Sequence, residues 1–196
     1  MIRQAFPIVI FLLLTLGGCA GQSPPTRFYV LSPLMAESPV GRIGQVVGVG
    51  PVRLSDHLNR NPLVRRSSDL RLEVLEFDRW AGDLGRNIQD VLAGNLSSLL
   101  GGYPVLSHPW GLDAGVSRQI VLAIRRFEAG PGDQVVLEVQ WRLLDLESKR
   151  ALRIENDRIR LPFEGEGVEP MVRAQNLALA ELSRRLASAL LAEQDD

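Results

Sequence analysis

The sequence predicts an α+β fold, an antiparallel-rich mixed β-sheet with two amphipathic helices packed on one face. Apolar residues recur at helical spacing over residues 83–100 and again over residues 170–191. From Val135 to Leu143, apolar side chains alternate with Glu138, Gln140 and Arg142, which is typical of a strand with one buried face. With about six strands in all, the simplest packing places both helices on the same side of the sheet.

The N-terminal segment combines a positive residue, a short apolar run and a cysteine. Arg3 precedes an apolar run of about 12 residues, a length expected of a signal peptide and too short to span a bilayer. Two glycines then precede Cys19, the one cysteine of the protein. Leu-Gly-Gly-Cys resembles the bacterial lipobox, in which the cysteine thiol takes a diacylglyceryl group. We therefore predict a signal peptide at residues 1–18 and S-diacylglycerol and N-acyl (palmitate) modification of Cys19. The alternatives are an ordinary signal sequence or a buried cysteine.

Residues 19–26 are predicted to be the lipidated cysteine and a short tether, because the segment is small and polar and contains two prolines. Ala20 follows the cysteine. In Gram-negative lipoproteins an aspartate there tends to retain the protein at the inner membrane, so by resemblance the alanine predicts the outer membrane, on its periplasmic face. Residues 27–196 are then expected to form a single periplasmic domain, which is long enough to bury a core.

Strands are predicted over residues 27–31 and 43–52, with a loop over residues 34–42. Residues 63–66 and 70–74 flank a polar turn and predict a β-hairpin. In its second strand, the residues predicted to face the core are Leu70, Leu72 and Val74.

The first predicted helix spans residues 83–100. Asp83 is a suitable N-cap, and Gly101 and Gly102 follow the last apolar position. One side of this helix carries six apolar residues. The residues predicted to lie on the other side are Arg86, Gln89, Asp90 and Ser97.

The second half of the chain predicts three strands in series and a final helix. Residues 119–127 lead into a Gly-Pro-Gly-Asp turn, followed by the alternating strand and by a strand over residues 151–161. In that last strand the apolar residues change parity, which predicts a bulge near Asn156. Pro170 suits the first turn of the final helix, and Glu181 and Arg185 have the spacing of a favourable i,i+4 pair.

Composition and motifs give no indication of catalysis. The net charge of −1 does not favour nucleic-acid binding, which usually needs a basic patch. The two histidines, His57 and His108, are far apart in sequence, and neither has a neighbouring pair of metal ligands. A G-x-S-x-G elbow, a phosphate-binding loop and a dinucleotide fingerprint are all missing from the sequence. We therefore predict no catalytic residues, no metal site, no cofactor and no enzymatic activity.

An arginine and a tryptophan, Arg79 and Trp80, stand directly before the first predicted helix. One interpretation is that Trp80 is a core residue that packs against the helix, with Arg79 exposed. The other is a surface that contacts a partner protein, since Trp and Arg are over-represented at binding hot spots. Both residues therefore stay candidates for a partner interface or a core staple.

Several short motifs are specific in their order as a set. They are Phe-Tyr-Val-Leu at 28–31, Val-Gly-Val-Gly-Pro-Val at 47–52, Leu-Asn-Arg at 58–60, Leu-Val-Arg-Arg at 63–66 and Arg-Trp-Ala at 79–81 followed by Leu84. With the lipobox, the strand carrying Trp141 and the Ala/Leu-rich terminal helix, this set resembles the ABC-type transport auxiliary lipoproteins, which include the PqiC-like (YmbA-like) outer-membrane lipoproteins. The resemblance covers essentially the whole mature chain. Gly82-Asp83 departs from the Glu-Pro-like pair expected after Trp80-Ala81.

The resemblance implies a non-catalytic lipoprotein that works beside an MCE-domain protein, an ABC permease and an ATPase to move lipids between the two membranes. Its implied role is that of an adaptor at the outer membrane. The competing interpretation is a lipid carrier that holds an acyl chain in its own apolar cavity. A third, an envelope hydrolase, would need a clustered nucleophile and base. The transported lipid and the formation of a homo-oligomer are left open.

Overall fold

The computed structural model describes residues 24–34, 39–41 and 43–193, so the predictions for the signal peptide and for Cys19 lie outside the described residues. Helix α1 spans Leu84–Leu99 and helix α2 spans Glu169–Ala192. The strands are β1 Arg27–Tyr29, β2 Val46–Leu54, β3 Pro62–Ser68, β4 Arg71–Trp80, β5 Val105–Ser107, β6 Val116–Gly130, β7 Gln134–Asp145 and β8 Arg150–Pro162. Every one of these elements follows the predicted tether, so a chain that begins at Ala20 retains all of them.

Strand β6 is the centre of the sheet. One of its edges pairs with β7 along almost its whole length, in antiparallel orientation, and β7 pairs in the same way with β8. Two strands pair with the other edge of β6, both in parallel orientation. The first part of β6, from Val116 to Ile124, pairs with β2, and Ala129 near its end pairs with β3. Beyond these, β5 pairs with β2, β4 with β3, and β1 with β4. Among the described strands, β8 pairs only with β7 and so forms an edge of the sheet.

Both helices lie on one face of the sheet, as predicted. Helix α1 packs against β2, helix α2 packs against β7 and β8, and the two helices contact each other. The inward side chains of the alternating strand are all buried in the shared core: Val135, Leu137, Val139, Trp141 and Leu143. The opposite side of the sheet, which the two helices leave uncovered, is called the open face below.

Both helices begin and end where local sequence chemistry predicts. The Asp83 side chain accepts a hydrogen bond from the backbone N–H of Arg86 at 2.6 Å, and Gly101 adopts a φ of 72° just after the helix. In α2, Pro170 occupies the first turn, and the Arg185 Nε lies 3.1 Å from a Glu181 carboxylate oxygen. Asp83 therefore starts the helix without the Glu-Pro-like pair. Neither helix is both long and apolar enough to cross a membrane.

The sequence prediction was wrong at three positions. Leu70 is 99% exposed, because residues 69 and 70 form the hairpin turn itself and β4 starts one residue later. Gln89 is buried in α1, where its amide donates a hydrogen bond to the backbone carbonyl of His108. The pairing of β7 with β8 continues unbroken through Asn156, and the register shift lies instead between the partners of Leu143 and Leu144. The alternation of apolar and polar residues along β8 changes phase because Ile154, although apolar, is exposed on the open face.

Candidate partner-binding surface

Three of the motif-bearing segments, which stand apart in the sequence, come together at one end of β4, whereas the motif at 47–52 lies in β2 and pairs with β5 and β6. The backbone N–H of Trp80 donates to the carbonyl of Asn61 at 2.8 Å, and Pro62 lies opposite Arg79 in the pairing of β3 with β4. The backbone N–H of Ala81 donates to the carbonyl of Tyr29, also at 2.8 Å. Three motif segments, 28–31, 58–66 and 79–81, are thus held side by side by backbone hydrogen bonds.

Trp80 and Arg79 point to opposite sides at this junction. Trp80 is 6% exposed and belongs to the buried core, as a staple against the helix would be. Arg79 is half-buried, and its Nε lies 3.3 Å from the backbone carbonyl of Glu76. A partner that binds here would therefore contact Arg79 rather than the indole ring of Trp80.

A buried carboxylate links β3 to β6, and sequence reasoning did not identify it. Glu128 has no exposed side-chain surface, and its Oε1 accepts from Arg126 Nε at 2.8 Å and from Arg66 Nε at 3.0 Å. Its Oε2 accepts from the backbone N–H of Phe127 at 2.9 Å and lies 3.8 Å from His57 Nε2. Two of the three Arg-Arg pairs of the sequence, at 65–66 and 125–126, were the available signal, since a charge buried in a strand needs cationic partners.

Replacing Glu128 with glutamine is expected to lower the free energy of unfolding by about 2 kcal/mol, because two guanidinium groups lose their shared anion. Urea denaturation followed by circular dichroism measures the loss. The matched control is Glu155→Gln, since Glu155 is half-buried on the same sheet and pairs with Arg153 at 3.0 Å without touching the partners of Glu128. We expect that control to cost less than about 1 kcal/mol. Equal losses in the two variants would contradict a structural role for the buried carboxylate.

A cleft of about 610 Å³ opens between the β3–β4 hairpin, the β6–β7 turn and the loop before α2. Two ion pairs line it. Arg27 binds Asp78 through two hydrogen bonds of 2.7 and 2.9 Å, and Arg65 binds Glu73 through two of 2.7 and 3.1 Å. A cavity for an acyl chain would be lined mainly by apolar groups. The charged lining of this cleft is therefore a poor match to the carrier interpretation.

The hydrogen bonds from Arg65 hold the pKa of Glu73 below its ordinary value of 4.5. The pair therefore contributes stability that is present above that value and is lost as the pH falls through the lowered pKa. In Glu73→Gln we expect a smaller loss of stability between pH 6 and about pH 3 than in the wild type. Urea melts across this range test the prediction, with Arg65→Gln as the matched variant because it removes the cause of the shift. Unchanged pH profiles in both variants would refute it.

The two histidines, which we predicted to take no part in a catalytic or metal site, have different surroundings in the fold. His57 lies beside Glu128, whereas the ring of His108 stands edge-on to Trp110 with a centroid distance of 5.3 Å. Within residues 24–34, 39–41 and 43–193, no three His, Asp or Glu side chains are grouped as a metal site would require. The absence of catalytic residues and of a cofactor stays a prediction.

The comparison with known protein families decides the family of the chain. The family model for the ABC-type transport auxiliary lipoprotein component matches residues 29–187, which include all three motif segments except Phe28. This protein belongs to that family. The resemblance based on the motifs is therefore confirmed, and the chain is a member of a family of auxiliary transport lipoproteins.

Relatives in the family agree with this assignment. The chain is 24% identical over 164 residues to the intermembrane transport lipoprotein PqiC of Escherichia coli K12, covering 83% of this chain and 81% of that protein. The PqiC of Shigella flexneri matches to the same extent. Each relative is named as a lipoprotein of intermembrane transport.

Solved structures show the same fold. The crystal structure of protein XCC0632 from Xanthomonas campestris has a TM-score of 0.75 at 15% identity, covering 87% of this chain and 98% of that one. The crystal structure of an uncharacterised protein has a TM-score of 0.73 at 24% identity, covering 85% and 99%. The mixed sheet with two helices on one face is thus the fold of these two proteins as well.

Proposed function

We propose that this protein is a non-catalytic adaptor subunit of an ABC/MCE-type system that transports lipids between the inner and outer membranes. Cys19 anchors it by its acyl chains to the periplasmic face of the outer membrane. Its partners are an MCE-domain protein and the ABC permease and ATPase that work with it. The single observation that carries this proposal is the family match over residues 29–187, which spans nearly the whole folded part of the chain.

The packing of the domain supports an adaptor over a lipid carrier. Nearly all apolar residues of both helices and of the alternating strand are buried against one another in one core, with Leu177 of α2 as an exposed exception. The cleft beside the β3–β4 hairpin is large enough for a ligand, but ion pairs line it. A protein that bound an acyl chain would need apolar surface that is not already used by its own core.

The chain from Ala20 to Asp196, without the lipid, should bind the periplasmic part of its MCE partner and carry no stoichiometric lipid. Native mass spectrometry of the purified chain tests both points and also reports whether it forms a homo-oligomer. The partner to use is an MCE-domain protein whose gene lies in the same operon, once such a gene has been identified, and an MCE protein from an unrelated operon is the control. One phospholipid per chain, together with no affinity for the MCE protein, would reject the adaptor in favour of the carrier.

A further inference from the structure

The open face of the sheet carries an excess of positive charge. The exposed arginines on it come from β2, β6, β7 and β8: Arg53, Arg125, Arg142, Arg158 and Arg160. A partly exposed carboxylate, Glu138, lies between these arginines and pairs with Arg158 at 3.0 Å. The protein as a whole has a net charge of −1, so this face differs from the average surface.

The strand registers place four of these arginines on the side away from the helices, and Arg125, at the register shift after Ile124, lines the same shallow cleft as Glu138 and Arg158. Because the side chains from Val135 to Leu143 that alternate inward are buried, their neighbours on β7, including Arg142, point outward. Arg158 lies opposite Glu138 and Arg160 lies opposite Val136 in the pairing of β7 with β8. Arg53 lies opposite Ala123 of β6, and Ala123 lies opposite Gln140 of β7. Because Gln140 points outward, Arg53 points outward as well.

Most of these charges are not used to hold the fold together. Within the described part of the chain, no ion pair joins Arg53, Arg125, Arg142 or Arg160 to a carboxylate. Six arginines elsewhere on the surface bind carboxylates directly: Arg27, Arg65, Arg118, Arg153, Arg184 and Arg185. Arg86 and Arg173 of the helices, like the four arginines of the open face, form no ion pair within the described residues. An anionic surface would provide counter-charges for these unpaired guanidinium groups.

The same face also exposes large apolar side chains. Phe28 is 66% exposed and lies opposite Arg79 in the pairing of β1 with β4, while the next pair along, Tyr29 and Trp80, turns toward the helices. Phe77 has the same parity as Arg79 and is 41% exposed, and Ile154 is 58% exposed between outward-facing residues of β8. Basic side chains combined with exposed phenylalanine and isoleucine are typical of protein surfaces that bind at the lipid headgroups.

The position of the predicted anchor restricts where this face can lie. Cys19 precedes Arg27 by eight residues, which span at most about 28 Å when fully extended. Phe28 is the next residue of β1 and belongs to the open face. A diacylglyceryl group on Cys19 would therefore hold this edge of the face within reach of the membrane.

We propose that the open face lies on the lipid surface of the membrane that holds Cys19, with its arginines at lipid phosphates and with Phe28 and Phe77 among the headgroups. The helical side of the domain is then left free for the transport partner, which in this arrangement does not contact Arg79, because Arg79 lies beside Phe28 on the open face. The location of that membrane rests on the proposed lipid anchor, but the affinity of the face for anionic lipid can be measured without it.

The test is sedimentation of the chain from Ala20 to Asp196 with vesicles of phosphatidylcholine containing 30% phosphatidylglycerol. We expect binding at low salt that falls strongly in 0.5 M NaCl, and little binding to pure phosphatidylcholine. Arg125→Gln/Arg142→Gln should weaken binding about 25-fold, since each arginine near an anionic surface contributes about fivefold. The matched control is Arg86→Gln/Arg173→Gln, which removes two exposed arginines from the helices and should change binding by less than about threefold.

Each outcome decides the proposal. Equal weakening in the two double variants would show that net charge alone matters, and no binding of the wild type to anionic vesicles would show that the face is not a lipid surface. Either result overturns the proposal. If Arg125→Gln/Arg142→Gln instead loses the MCE protein and keeps the vesicles, the face binds an acidic protein and the proposal is wrong. Failure of acylation at Cys19 would leave the vesicle result unchanged, so the two hypotheses fail separately.

Discussion

Replacing Cys19 with serine is expected to leave residues 1–18 attached to the protein and to abolish its acylation. The thioether of a lipoprotein forms on a thiolate, and serine offers no comparable nucleophile because its hydroxyl stays protonated near neutral pH. Mass spectrometry of the membrane fraction measures both effects, as a mass increase from the retained segment and as the loss of the acyl groups. The effect should be all-or-none.

The control for this experiment is Ala20→Ser, which changes the next residue and keeps the thiol. It should be processed and acylated like the wild type. A wild-type protein that matures without acyl groups, or whose processing is insensitive to globomycin, would contradict the lipoprotein prediction. The result bears on localisation only, because every described strand and helix begins after the tether.

Replacing Trp80 with alanine should lower the free energy of unfolding by about 3–5 kcal/mol, the usual cost of removing a large aromatic side chain from a core. The indole ring is almost fully buried beside the start of α1, and the backbone around it joins three segments of the chain. A cavity at this junction would loosen β1, β4 and the loop before β3 together. Thermal and urea denaturation measure the loss.

The neighbouring residue supplies the control. Arg79→Ala removes a half-buried side chain from the opposite side of β4 and is expected to cost less than about 1 kcal/mol. Binding of the MCE protein should be measured on both variants. If Trp80→Ala left the stability unchanged and reduced binding, Trp80 would be an interface residue and the assignment to the core would be wrong.

Local patterns were sufficient to predict the helices, because each combines a 3.6-residue period with cap chemistry at its ends. Asp83 and Pro170 both occupy the positions that this chemistry requires. The strands from β6 to β8 were also predictable, since their turns are short and their order in the sheet follows the chain. What the sequence could not provide was the parallel pairing of β2 with β6, which joins segments about 70 residues apart.

The errors have one common cause, which is that polarity does not determine the environment of a residue. Gln89 was predicted to be exposed because it is polar, but its burial depends on the His108 carbonyl, 19 residues away. Ile154 is apolar, but it faces outward beside arginines, so the change of apolar parity in β8 was wrongly attributed to a bulge near Asn156. Glu128 was missed for the same reason, since Arg66 lies 62 residues before it and meets it only once β3 and β6 pair.

The charged sequence of β8 has a consequence for a protein confined to a surface. Molecules anchored to one membrane leaflet share a thin layer, so their effective concentration is far higher than in solution. A long strand with an unpaired edge would then invite edge-to-edge pairing between copies and eventually aggregation. Over its 13 residues β8 carries arginine, glutamate and aspartate side chains and ends at Pro162, features that oppose such pairing. The edge formed by β8 is thus protected against the crowding that the proposed membrane anchor would impose.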